Sequence, residues 1–99
     1  MDIKLVKRDK DAELILTGRL NTSNAEQVTD IFLKTAAKYT DVTLNLAALD
    51  FISSAGLRAF KTLYIRLKKK GGTLYLMNIS PYVREVLEIT GSMEMFIEK

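Results

Sequence analysis

An α/β domain with a mixed sheet of four or five strands is what the sequence predicts, on three observations. Two apolar-rich runs, "IKLVK" and "ELILTG", flank the turn residues "RDKDA" at the start of the chain. From residue 23 onward, stretches with apolar residues at helical spacing alternate with short β-rich runs. Each helical stretch is bounded by residue types that start or stop a helix. Strands separated by helices of ten or more residues need parallel crossovers. The expected order is therefore ββαβαβαβ, a mostly parallel sheet with one antiparallel edge and helices mainly on one face.

The first run places Ile3 and Leu5 on one face, and the second is dense enough to be more fully buried, with Gly18 ending it. Helical spacing then takes over in "NTSNAEQVTDIFLKTAAKY", with Ala25, Val28, Ile31, Phe32, Thr35, Ala36 and Tyr39 on one stripe. Ser23 followed by Glu26 reads as a capping box that starts this helix. "VTLNLAAL" is apolar enough for a central strand. A second helix over 55–70 carries Leu57, Phe60, Leu63, Tyr64 and Leu67 until Gly71 and Gly72 stop it. "TLYLMN" is the next strand, and Ser80-Pro81 opens a third helix with Val83, Val86, Leu87 and Thr90 as its stripe and Gly91 as its close. A last strand, "MFIE", finishes the order.

Composition narrows the chemistry. Ninety-nine residues suit one domain, 1–99, and apolar residues at 47% with charged residues at 27% are ordinary globular usage. The chain contains no cysteine and no histidine. That removes disulfides, thiolate chemistry, the commonest general base and every Ser-His arrangement. No metal-ligand cluster stands out, so neither metal nor cofactor is expected. The net charge of +3 is small, and Lys68, Lys69 and Lys70 fall at a helix end, where cations complement the dipole. A nucleic-acid surface would need a wider basic stripe with aromatics between, so no nucleic-acid partner is expected. Nor is a membrane partner: no apolar stretch approaches the ~18 residues of a bilayer span, and "MDIKLVKRDK" does not read as a signal peptide. The expectation is a soluble cytoplasmic monomer, since no apolar stripe is left over once the core is assigned.

One junction stands apart. In "LDFISSAGLRAF" a buried run hands over to a helix through two hydroxyls, Ser53 and Ser54. Helix capping explains one serine, because a hydroxyl that accepts from an unpaired backbone N–H stabilises a helix by about 1 kcal/mol. Ser53 can do that alone, which leaves Ser54 surplus. Gly56 in the first turn costs up to about 1 kcal/mol against alanine, which suggests close approach to the backbone there. A helix N-terminus beyond the carboxyl end of a strand suits an anion. Catalysis is disfavoured. There is no base for the serine, no G-x-S-x-G elbow and no Gly-rich phosphate loop.

"LNLAALDFISSAGLRAF" resembles the signature of STAS domains, and among them the stand-alone bacterial anti-sigma factor antagonists. The resemblance extends to "LTGRLN", to "GGTLYLMNISPYVREVLEITG" and to the order of elements, so it covers nearly the whole chain. It implies a STAS-like fold and a binding protein rather than an enzyme, acting in transcription regulation by partner switching. In that family an anti-sigma factor with serine kinase activity phosphorylates a serine of this junction. The unphosphorylated antagonist binds the anti-sigma factor and frees the sigma factor, and a serine phosphatase resets the cycle. Matching on Gly56-Leu57 places the acceptor at Ser54, with Ser53 second. It also places partner contacts at Asn21, Thr22, Ser53, Ser54, Ala55, Gly56, Leu57 and Arg58. Ser53 and Asn21 stand where well-known members carry aspartate. The alternative within the family is a constitutive docking subunit of a transporter or signalling complex, without phosphorylation.

Overall fold

The opening runs pair as alternation requires. In the computed structural model, which describes residues 1–99, β1 (Asp2–Arg8) and β2 (Asp11–Leu20) form an antiparallel hairpin that turns at Asp9, whose φ of 59° is left-handed. The chain continues through α1 (Ala25–Lys38), β3 (Asp41–Ile52), α2 (Ser54–Lys69), β4 (Thr73–Met77) and α3 (Pro81–Ile89) to a 3-10 turn at Met93–Met95 and β5 (Ile97–Glu98). The five strands lie in the order β1-β2-β3-β4-β5, and every pair after the first is parallel. This is a five-stranded mixed sheet with three helices, as the sequence predicts.

Period-two alternation decides which face the helices cover. Ala12, Leu14 and Leu16 of β2, Val42, Leu44 and Leu46 of β3, and Leu74 and Leu76 of β4 are all buried. They join Val28, Phe32 and Ala36 of α1, Leu57, Phe60, Leu63 and Leu67 of α2, and Val83 and Leu87 of α3 in one core of 24 buried residues. Phe60 ties the helical layer together, with ring centroids 6.0 Å from Phe32 and 6.3 Å from Phe96. The opposite sheet face is polar. There the Glu13 carboxylate accepts from Arg8 and from Asn45 Nδ2, each at 3.1 Å, and Asn45 Oδ1 accepts from Asn78. Lys99 sits over the Tyr75 ring and donates to Thr43 Oγ1 on the same face.

Several boundaries differ from the sequence expectation. Gly18 does not end β2. With φ at 110° it marks an irregularity in the β2–β3 register, and pairing resumes as Arg19↔Phe51 and Leu20↔Ile52. The Ser23–Glu26 capping box does not form. The N-cap of α1 is Asn24, and the Asn21 Oδ1 atom accepts from the backbone N–H groups of Ser23 (2.9 Å) and Asn24 (3.3 Å). Tyr64 is half-buried, its ring edge-on to Phe96 at 6.0 Å, whereas Leu63 is fully buried. Thr90 is exposed, its hydroxyl donating back to the Val86 carbonyl. The closing "MFIE" is a strand for only two residues, because Met93–Met95 forms a 3-10 turn and Phe96 packs into the core. Ile31 and Leu5, both assigned to the apolar faces of their elements, stay 39% and 42% exposed. An apolar residue pair is thus left over at the β1 edge, against the premise of the monomer expectation.

Candidate functional site

β2 and β3 end side by side, and the segments leaving the two strand ends make the junction. Leu20 pairs with Ile52, and the Ser53 N–H donates to the Leu20 carbonyl at 2.9 Å, so the two strand ends are fastened together. After Leu20 the chain turns on two amides. Asn24 Oδ1 accepts from the Asn21 N–H at 3.0 Å, and Asn24 Nδ2 donates to the Arg19 carbonyl at 2.8 Å. After Ile52, Ser53 holds extended backbone (φ −92°, ψ 174°) and its hydroxyl accepts from the Gly56 N–H at 3.2 Å. Ser53 is the N-cap of α2. Ser54 is the first helical residue and is exposed, free of that capping role.

The glycine two residues on has a packing reason. A Cβ on Gly56 would lie 2.6 Å from Leu20 Cγ and 3.1 Å from Ile52 Cγ1. The close approach inferred from the sequence is therefore to the strand ends beneath α2, and it lets the helix sit down on them. Leu57 points the same way and is 5% exposed. Of the residues matched to partner contacts, Gly56 and Leu57 thus support the junction from behind. Asn21, Thr22, Ser53, Ser54, Ala55 and Arg58 present atoms to solvent.

Thr22, Ala55 and Arg58 meet Glu26 and Thr29 of α1 in a shallow groove between the two helix N-termini. The first turn of α2 carries no acidic residue, so the free N–H groups and partial positive charge of the helix end are not offset there. Arg58 follows Ser54 by four residues and lies on the same side of the helix. On the far side of the junction, a feature that no spacing in the sequence signals, the Arg19 guanidinium lies 4.3 Å from the Phe51 ring centroid. Tyr82 of α3 stacks on that same ring at 6.1 Å and remains 43% exposed. The groove beside the serine pair carries one arginine, Arg58, and one carboxylate, Glu26. No group of three acidic, histidine or cysteine side chains is placed to hold a metal ion. No helix is long and apolar enough to cross a membrane.

Together these groups can present an accessible hydroxyl at a cationic helix terminus. A phosphoryl group placed on Ser54 Oγ would meet unpaired backbone N–H groups and Arg58, which favour negative charge.

The same architecture and much of the same sequence recur in known proteins. BtrV of Bordetella bronchiseptica, provisionally named an anti-sigma factor antagonist, is 38% identical over 97 residues, covering 95% of this chain and 84% of that one. A Thermotoga maritima protein with the same provisional name superposes with a TM-score of 0.91 at 20% identity, over 97% of this chain and 84% of its own. The Bacillus cell fate determinant SpoIIAA, in its phosphorylated form, gives a TM-score of 0.78 at 21% identity, over 99% and 91%. The model of the STAS domain family matches residues 2–99, and with that match across the whole sheet, its helices and the serine junction, the chain belongs to the STAS domain family.

Proposed function

We propose that this protein is an anti-sigma factor antagonist that binds an anti-sigma factor through the β3–α2 junction and is switched off by phosphorylation of Ser54. One observation carries the reading. Ser53 alone caps α2, which leaves the neighbouring Ser54 hydroxyl exposed at a helix terminus without acidic residues. The relative at 38% identity over most of the chain bears the antagonist name, which supports the partner class. The partner supplies the chemistry. Its bound ATP gives up the γ-phosphoryl group to Ser54 Oγ, ADP leaves, and the serine proton passes to a base of the kinase. A serine phosphatase returns Ser54 to the hydroxyl form.

In the unphosphorylated state Asn21, Thr22, Ser53, Ser54, Ala55 and Arg58 form the contact surface, and occupying the anti-sigma factor releases its sigma factor. The chain itself acts as a ligand and not as an enzyme. Rapid stoichiometric labelling of Ser54 by a fluorophosphonate probe would sink that part of the reading.

The experiment is incubation with the cognate anti-sigma kinase and ATP, followed by site mapping by mass spectrometry. Phosphate is expected on Ser54, and Ser54→Ala is expected to bind the anti-sigma factor and resist inactivation. Ser53→Ala is expected to remain a substrate. Phosphate confined to Ser53 or a threonine overturns the acceptor assignment. A pull-down that returns a transporter and no sigma regulator would favour a constitutive docking subunit instead.

A further inference from the structure

We infer that the β1 edge of the sheet, with the apolar trough beside it, is a second docking surface that takes an extended acidic peptide segment as an added strand. The surface is distinct from the junction, since the residues lining its trough share none with the groove between the helix N-termini. Three observations converge on it. β1 is an outermost strand seven residues long, so one side of its backbone N–H and C=O groups has no partner in the sheet. Its helix-facing Ile3 and Leu5 form, with Ile31 and Tyr39, a trough of about 200 Å³ beside α1. Leu5 at 42% and Ile31 at 39% exposure leave that trough open to solvent. Finally, Lys34 and Lys38 line the α1 side of the trough and no carboxylate does, while Lys4, Lys7 and Arg8 lie on the strand itself.

The charge selects the occupant. Lysines on an edge strand oppose pairing with a second copy of the same strand. In an antiparallel self-pair centred on Leu5, the two Lys4 side chains would be diagonal neighbours and would repel, and the Asp2–Arg8 contacts of that register would compete with the Arg8–Glu13 ion pair. A strand of opposite charge reverses that penalty. In strand addition the backbone hydrogen bonds supply affinity, and alternate side chains supply selectivity. Successive side chains of the added strand point to opposite faces. One set therefore falls towards Leu5 and Ile31 and should be apolar. The other set lies beside Lys4, since Arg8 on that face is already bonded to Glu13, and should be Asp or Glu.

The test uses the full chain as bait for a display library of seven-residue peptides, and maps each enriched peptide by two-dimensional NMR. Enriched sequences are expected to alternate apolar and acidic residues and to shift the amides of Asp2–Arg8, slowing hydrogen exchange at alternate positions. The substitution Lys4→Glu, at an exposed position on the face that receives the acidic side chains, should weaken binding by roughly tenfold. Raising the salt concentration should weaken binding to the unsubstituted protein as well, which needs no folded variant. The inference is overturned by no enrichment, by enrichment of basic or uncharged peptides, or by a footprint at residues 21–24 and 53–58. Affinity indifferent to both charge reversal and salt overturns it too. So does binding to phosphatidylglycerol vesicles in place of peptides, or a homodimer in sedimentation that Leu5→Lys abolishes.

Discussion

Ser53 and Ser54 are adjacent and chemically identical, yet the backbone gives them different work. Ser53 is extended and turns its oxygen back onto the Gly56 N–H, whereas Ser54 has entered the helix and faces solvent. Ser53→Ala should cost about 1 kcal/mol, the usual worth of an N-cap, and Ser54→Ala should stay within about 0.5 kcal/mol of the unsubstituted protein. Urea midpoints of the two variants measure that contrast directly. Gly56 gives a sharper result, because two opposing effects compete there. Alanine favours a helix by up to about 1 kcal/mol over glycine. Its Cβ, however, would sit 2.6 Å from Leu20 Cγ, and Leu20 is fully buried. Overpacking of that kind costs about 1–3 kcal/mol, so Gly56→Ala should lower the urea midpoint despite the better helix former. A midpoint raised by the substitution would show that the strand ends yield.

Among the elements, the starts of helices show where sequence reading succeeds and where it stops. Ser53 and Ser80 cap α2 and α3 as their positions suggest, the latter accepting from the Val83 N–H at 3.2 Å with Pro81 following. The start of α1 offered "NTSN", four residues able to cap, and only the chain's path out of β2 chooses among them. Asn21 is held where its side chain reaches the N–H groups of Ser23 and Asn24, so Asn21→Ala should destabilise by about 1 kcal/mol and Ser23→Ala by almost nothing. Thermal melts of both variants distinguish the observed Asn21 turn from the capping box. The stripe pattern had the same limit. It places Ile31 on the correct face of α1 but carries no information on how far that face overhangs β1. Nor could spacing reveal the Arg19–Phe51–Tyr82 stack, which joins residues of three separate elements. At the other edge, β5 is two residues long and is fastened by an ion pair between Arg84 of α3 and Glu98. The Arg84 hydrogen bonds hold the Glu98 carboxyl below the ordinary glutamate range, with desolvation opposing. A lowered folded value means the tether is complete above that ordinary range and is lost as pH falls through the depressed value. The Arg84 guanidinium N–H signals, which donate to the Glu98 carboxylate, should titrate in acid by NMR, and Glu98→Gln should remove that change.

For the molecule as a whole, stability and binding are separated in space, and the proposed switch depends on that separation. The core lies between the α1, α2 and α3 layer and one sheet face, while Ser54 stands outside it at the rim where β2 and β3 end. Phosphorylation adds about −1.5 to −2 charge and three acceptor oxygens at that rim. The helix terminus favours such a charge by about 0.3–1 kcal/mol, and no acidic residue of the first turn opposes it. The folded state therefore has no reason to lose stability. A docked partner is in a different position, because it must desolvate the dianion. Where it supplies no matching cation, an unpaired buried charge costs about 2–5 kcal/mol, which is roughly thirty-fold to several-thousand-fold in affinity. Ser54→Asp carries only one of those charges and lacks the phosphate's reach, so it belongs at the weaker end of that range. Calorimetry against the anti-sigma factor should show Ser54→Asp binding at least roughly tenfold more weakly, and phospho-Ser54 protein more weakly still. Neither should be less stable than the unmodified chain by more than about 0.5 kcal/mol. Equal affinity for Ser54→Asp, the phosphorylated form and the unmodified chain would place Ser54 outside the interface. A matching loss of stability would mean instead that the charge acts by loosening α2, and the separation argued from the exposed serine and the buried core would be wrong.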